Sequence, residues 1–231
     1  MQRRTRRRPA GKSPTRVTVE SPRIQNKRGQ VLGPKGEGSR QRIIDGAFDL
    51  LAKNSVWNIG VTDICTHCDI APSNLYTYFA SVEEVVLALA EQVLDCAPPL
   101  TDILRGDWSG RGGLKLARAY VEEDFKYWEK YRPVLKVVEL LADEGNCAFG
   151  KIRERRILPI YDAMQPIIVK AQQQGGISRK LEPKVVAMCA HGVIESGAMH
   201  LPIILQYGHK AEDLMETHAR LLLLHLIGRD D

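Results

Sequence analysis

Long apolar runs are missing from this 231-residue chain. The longest near the C-terminus, Leu221 to Leu224, is cut by His225 and is far too short to cross a bilayer. No membrane-spanning segment and no membrane partner are expected on that ground. The N-terminus is basic but lacks the apolar stretch that a signal peptide needs. Runs of alternating β-branched residues and strand-turn-strand signals are also missing, which argues against a β architecture. Cysteine is sparse. Five residues, at 65, 68, 96, 147 and 189, are an odd and scattered set that fits a reducing cytoplasm better than a disulfide framework. Cys65-Thr66-His67-Cys68 has no second CxxC and no paired histidines to complete a zinc site, so both thiols are expected as small core residues. Gly33 to Gly38 lacks the Gly-Lys-Ser/Thr ending of a phosphate-binding loop. Acids and histidines show no catalytic spacing, and no nucleophile motif is visible. Neither an enzyme, nor a metal site, nor a cofactor is expected.

Acidic residues are nearly absent from the first 38 positions. That stretch holds eleven Lys/Arg against Glu20 and Glu37, about +9. The whole chain carries +5, so residues 39–231 carry −4. A basic segment on a mildly acidic body suggests a polyanionic partner, most simply nucleic acid. Rich in Arg, Gly, Pro and Ser/Thr and without apolar period, residues 1–38 are expected to be a disordered arm. Arg6, Arg7 and Arg8 are its candidate contacts with a narrow minor groove.

What the chain does contain is helical periodicity, and the expected class is all-α. Ser39 is a plausible N-cap for a first helix with Ile43, Ile44, Ala47, Phe48 and Leu51 on one face. A second short helix is expected from Thr62 as N-cap, with Ile64, Cys65 and Cys68 inward and a break at Asp69. Pro72 suits the first position of a third helix held by Leu75 and Phe79. Ser81-Val82-Glu83-Glu84 reads as a capping box opening a fourth. Further helices are expected near 114–131, 133–144, 148–174, 182–206 and 211–227.

Three short helices in about 40 residues, the last two joined by a tight turn, are the form of a helix-turn-helix. It spans residues 61–79. The third helix would turn Ser73, Asn74, Tyr76, Thr77 and Tyr78 outward, groups suited to base edges and phosphates. Residues 39–95 resemble the DNA-binding domain of the TetR family of transcriptional regulators. The residues that carry the likeness are Ile43 to Leu51, Val61-Thr62-Asp63-Ile64, Asn74-Leu75-Tyr76-Thr77-Tyr78-Phe79 and the capped helix from Ser81. The C-terminal part is similar in outline, with Gly175-Gly176-Ile177-Ser178 leading to a long helix.

The resemblance implies a helix-turn-helix domain at 39–82 and a helical ligand-binding and dimerisation domain at 83–231. Thr62 and Arg40 would contact phosphate. Ser73, Asn74, Tyr76, Thr77 and Tyr78 would lie in or against the major groove. The sequence departs from the family pattern at Ala71, where a capping Ser or Thr is usual, at Asp69, where Gly is usual, and at Val82, where Lys is frequent. The implied function is a sequence-specific regulator that binds a pseudo-palindromic double-stranded operator as a homodimer and is released by a small, largely apolar effector. Candidate effector contacts are Tyr120, Asp124, Tyr127, Trp128, Glu139, Tyr161, Met164, His191 and Glu195. The helices near 182–206 and 211–227 are the candidate dimer interface, with small residues Gly192, Ser196, Gly197 and Ala198 allowing close approach. The competing reading is a nucleoid or RNA-binding protein that uses the basic arm without sequence specificity.

Overall fold

The computed structural model describes residues 25–27, 29–109 and 111–229. Arg6, Arg7 and Arg8 lie outside the described residues. Nine α-helices are seen among them, with no strand: α1 (Pro34–Leu51), α2 (Val61–Cys68), α3 (Pro72–Tyr78), α4 (Val82–Asp95), α5 (Leu100–Leu104), α6 (Arg111–Asp143), α7 (Cys147–Gln173), α8 (Pro183–Gln206) and α9 (Ala211–Ile227).

The first helix starts earlier than its periodicity indicates. Pro34, with φ preset for a helix and no N–H to satisfy, occupies its first turn behind Gly33. Ser39 is therefore inside α1, where its hydroxyl donates to the Lys35 carbonyl at 3.0 Å. Residues expected in a disordered arm also pack. Asn26 to Gln30 close a tight turn, and the Lys27 N–H donates to the Thr77 carbonyl at 3.1 Å. The Lys27 ammonium pairs with Glu84. This strap fastens the chain to the end of α3 and the start of α4.

Helices α1 to α4 form a head around Ile43, Ile44, Ala47, Leu51, Ile64, Leu75 and Phe79, all buried. Burying one such side chain contributes about 1.5–3 kcal/mol. Two local devices set the head's geometry. The α2 start is capped by Asp63, whose carboxylate accepts from the Gly60 N–H at 2.7 Å, so Thr62 lies in the first turn and is not the N-cap. Asp69 takes φ 51, ψ 54, the left-handed conformation that ends α2. The Asp69 backbone thus adopts the conformation that Gly more often supplies at a helix end. Cys65 is buried and Cys68 half-buried. A Cβ on Gly46 would fall 2.4 Å from the Cys68 sulfur, so α1 and α2 meet there at close range.

Behind the head, α6, α7, α8 and α9 pack on one another, and α4 reaches back to touch α6 and α7. The buried apolar residues of head and body form one continuous cluster. The break expected between residues 131 and 133 does not occur: α6 runs on through Pro133. Proline inside a helix removes one N–H and leaves a carbonyl four residues earlier without its helical donor. At Pro202 in α8 that carbonyl belongs to Ala198, and Arg132 from α6 donates to it at 3.1 Å. A guanidinium thus stands in for the missing amide.

By length and composition α8 is, among the described residues, one helix capable of crossing a membrane, with a mean hydropathy of 1.2 over its apolar window. Its inner face, Ala187, Ala190, His191, Ile194, Gly197 and Ala198, packs in the body. Val185, Met188, Val193, Ile203 and Leu205 are exposed on its outside. Gly197 and Ala198, expected at a dimer contact, are used inside the protomer. A Cβ on Gly197 would fall 2.4 Å from Nε2 of His218 on α9. Gly192 has open space beside it, and Ser196 is exposed.

Candidate functional site

The outward face of the head is built from α3. Leu75 and Phe79, at 0% and 3% exposure, anchor the helix. Ser73, Asn74 and Tyr76 are consequently exposed, and Thr77 and Tyr78 are half-buried. The Thr77 hydroxyl donates to the Ser73 carbonyl at 3.0 Å, which occupies its proton. Ala71 gives no side-chain cap, and Pro72 at the first position compensates by removing one N–H from the unsatisfied set.

Arg40 is not at the start of α1 but in its second turn. Its guanidinium carbon lies 4.9 Å from the centre of the Phe79 ring, over the aromatic face. Between α1 and α3 runs a groove of about 440 Å³ lined by Lys35, Ser39, Arg42, Asn74 and Tyr78 among others. Lys35 and Arg42 were not singled out from the sequence, because exposed cations on a helix read as a solvated face. Their position beside Asn74 is a tertiary fact.

In the body, eight of the nine candidate contacts converge on one buried polar cluster. The Tyr120 hydroxyl and Nδ1 of His191 are 2.9 Å apart, both fully buried. The Tyr161 ring stands edge-on to His191 at 6.0 Å between centroids. Glu139 and Glu195 meet through a residue that sequence reading missed. Arg156 on α7 bonds Glu139 at 2.7 Å and also pairs with Glu195, and its guanidinium lies 5.8 Å from the centre of the Trp128 ring. Only Met164 stays apart, buried as apolar core. A signal for Arg156 did exist: Phe149, Ile152, Arg156 and Ile160 lie on one helical stripe and all are buried. The run Arg153-Glu154-Arg155-Arg156 masked it as a solvated charge run.

Burial dominates the electrostatics. Asp124, 1% exposed, has its carboxyl pushed up to about 7, by burial first and by the Glu195 charge second, against the opposing pull of Arg156. His191 is pushed down to about 4 by burial and is neutral near pH 7. Glu139 is raised by burial. The Arg156 guanidinium is held charged by Glu195 and Glu139 despite its burial. Among the described residues, four buried polar atoms of this cluster have no hydrogen-bond partner: Asp124 Oδ2, Trp128 Nε1, Arg156 Nε and His191 Nε2. Leaving one such group unsatisfied costs about 1–3 kcal/mol.

A cavity of about 220 Å³ adjoins the cluster. Asp124 and Tyr127 of α6, Arg156 and Ile160 of α7, Leu94 of α4 and Leu100 of α5 line it, with others. Thr101 and Pro159 line both this cavity and an open cleft of about 650 Å³ walled by Leu104, Trp108, Ala163 and Ile167. The Tyr127 hydroxyl donates to the Val93 carbonyl in the last turn of α4 at 2.8 Å. α4 begins in the head at Ser81, whose hydroxyl accepts from the Glu84 N–H, and ends at the cavity wall.

A helix-turn-helix head on an all-helical body, joined by a helix that touches both, defines the architecture of a one-component DNA-binding regulator. The family described as tetracyclin repressor-like, C-terminal domain, matches residues 100–231, more than half of the chain. This protein belongs to that family, the TetR family of transcriptional regulators. A search of curated proteins finds no match. Solved structures are similar in fold. The fatty acid degradation regulator FadR from Bacillus halodurans is 16% identical, with 84% of this chain and 97% of that one covered and a TM-score of 0.59. The MbdR regulator from Azoarcus is 15% identical, with 82% and 99% covered and a TM-score of 0.61. FadR from Bacillus subtilis, solved with stearoyl-CoA, is 17% identical, with 81% and 98% covered and a TM-score of 0.58.

Proposed function

We propose that this protein is a ligand-released repressor that binds a pseudo-palindromic operator as a homodimer. The observation that carries this reading is the path from α3 to the cavity. Exposed Ser73, Asn74 and Tyr76 ride on a head whose α4 is hydrogen-bonded, through Val93, to cavity-lining Tyr127. In this reading Asn74 and Tyr76 meet base edges, and Ser73, Thr77, Tyr78, Thr62 and Arg40 meet phosphates and sugars. Lys35 and Arg42, beside Asn74, add backbone contacts.

The second half-site comes from a second copy. Outward apolar residues of α8 and α9 support this: Val185, Cys189, Leu221 and Leu224 line a shallow, almost wholly apolar groove with Ile177 and Leu181. Two such faces meeting around a two-fold axis make a four-helix interface. An effector in the cavity displaces α4, and the spacing of the two heads no longer fits two major grooves. It acts this way only if it binds the DNA-incompetent arrangement more tightly.

The test is fluorescence anisotropy against duplexes tiling the region upstream of the protein's own coding sequence, with scrambled duplex as competitor. A tile bound at least ~10³-fold more tightly than scrambled DNA supports a sequence-specific regulator. If duplexes selected from a random pool also show no preference, the sequence-specific reading fails. Steeply salt-dependent binding without preference then points to a non-specific nucleic-acid binder acting through its basic N-terminus.

A further inference from the structure

We infer that the effector of this protein carries a positively charged nitrogen, which pairs with Asp124, on an apolar body that extends past Thr101 and Pro159 into the adjoining cleft. The inference rests on the reading of the cavity as the effector site and adds the chemical class of what fills it.

The argument is one of charge and partners. Arg155 and Arg156 are the cations that line the cavity, and both are already paired. Arg155 holds Glu91 at 2.7 Å, and Arg156 holds both Glu139 and Glu195. Glu139 is shared further with Arg153, which also holds Asp143. Asp124 is the lining carboxyl with an unpartnered oxygen. Asp124 is buried and Glu139 and Glu195 are half-buried, so three carboxyls meet the buried Arg156 and, through Glu139, the half-buried Arg153. An anionic group beside Asp124 would have to break an existing ion pair to find a cation there; Arg105, Lys170 and Arg229 belong to the outer cleft. A cation finds a buried carboxylate waiting and makes up the charge deficit. The volume next to Asp124, about 220 Å³, is roughly that of seven waters at about 30 Å³ each, enough for a nitrogen head and a few carbons. The rest of the ligand leaves between Thr101 and Pro159, where Leu104, Trp108, Ala163 and Ile167 offer apolar wall.

Binding is then linked to protons. The groups facing Asp124 are Glu195 of α8, Arg156 of α7 and Tyr120 and Tyr127 of its own helix; Arg155 of α7 lines the same cavity, and α4 and α5 contribute apolar Leu94 and Leu100. His191 stays neutral well above its value of about 4. Asp124, near 7, is the group that changes charge around neutrality. A cation binds its ionised form, so affinity rises with pH as Asp124 loses its proton.

The experiment is calorimetric titration of the full chain with three probes of equal length, octylamine, octanol and octanoate, below their aggregation concentrations. Octylamine is expected to bind at least about tenfold more tightly than either of the others at pH 8. Its affinity is expected to rise about tenfold from pH 6 to pH 8, following ionisation of a group with a midpoint near 7. Asp124→Asn is expected to abolish both the preference and the pH dependence. Octanoate or octanol binding as tightly as octylamine overturns the inference. So does octylamine that fails to bind below about 1 mM, or binds independently of pH. The pH series needs no variant, so misfolding of Asp124→Asn does not blunt the test. Octylamine that binds in this pattern yet leaves operator affinity unchanged supports the cation site and overturns only its role in DNA release.

Discussion

The hydroxyl of Tyr127 donates a 2.8 Å hydrogen bond to the carbonyl of Val93. Tyr127 lines the cavity, and Val93 sits in the last turn of the helix that begins in the head. Tyr127→Phe removes this bond without changing the ring's volume. The expected stability loss is about 1 kcal/mol, read from urea unfolding. The ligand-induced fall in operator affinity is expected to shrink. Undiminished release by the variant would show that α4 is moved by another route.

Asn74 is exposed near the start of α3. If it reads a base, Asn74→Ala weakens specific binding by about 1–3 kcal/mol and leaves non-specific binding almost unchanged. Anisotropy with operator and scrambled duplexes measures both. An unchanged ratio between them removes Asn74 from the interface.

The strap at residues 25–31 ties the chain to the end of α3 through the Lys27 amide and the Thr77 carbonyl. The preceding 24 residues hold eight Lys/Arg against one Glu, about +7, and they join the protein beside the end of α3. Deleting residues 1–24 is expected to lower both affinity and the steepness of its salt dependence. Each lost phosphate contact reduces the logarithmic slope by about 0.9. A slope that does not change would mean that the arm does not touch DNA.

Asp124 and His191 pull stability in opposite directions with pH. Asp124 is raised from 3.8 to about 7, so its contribution is full at low pH and is lost as pH rises through 7. His191 is lowered from 6.5 to about 4, so its contribution is full above 6.5 and is lost as pH falls toward 4. Between pH 4 and 6.5 the two largely cancel. Asp124→Asn removes one of them. The variant is then expected to lose stability on acidification from pH 6.5 to 4 by up to ~3 kcal/mol relative to the parent chain. Urea midpoints across that range decide it, and parallel curves for the two proteins would contradict the cancellation.

Arg132 caps the Ala198 carbonyl that Pro202 leaves without a donor. Arg132→Ala is expected to cost about 1.5–3 kcal/mol, the range for a bond from a charged donor. In a Pro202→Ala background, where the helix supplies its own N–H again, the same change is expected to cost less. Additive losses in this double-mutant cycle would disprove the coupling.

Helix positions were legible where a local signal and the global packing agreed. Leu75 and Phe79 face inward as their i, i+4 spacing indicates, and Ser81 caps α4 as its motif indicates. The start of α1 is hidden in the sequence because Gly33, Pro34, Gly36 and Gly38 are poor helix formers. In the folded chain Pro34 opens the helix, and burial of Ile43 and Ile44 outweighs the poor helix propensity of its first turn. α6 was divided at Pro133 for a similar reason. Packing against α7, α8 and α9 holds the helix through the residue that would end it in isolation.

Sequence alone determined the class, the reading head and most of the polar residues that meet in the body, because periodicity, capping and turn chemistry act over a few neighbouring residues. Tertiary structure alone decided the rest. It brought Arg156 between Glu139 and Glu195, 17 and 39 residues away along the chain. It left one oxygen of Asp124 without a hydrogen-bond partner among the described residues, beside a cavity, turned Gly197 toward His218 of its own protomer, and joined Tyr127 to Val93 across 34 residues. The physical reason is common to all of these. Whether a charge is paired, a cavity lined or a carbonyl capped depends on which helix faces arrive opposite one another, and only closing the whole core settles that.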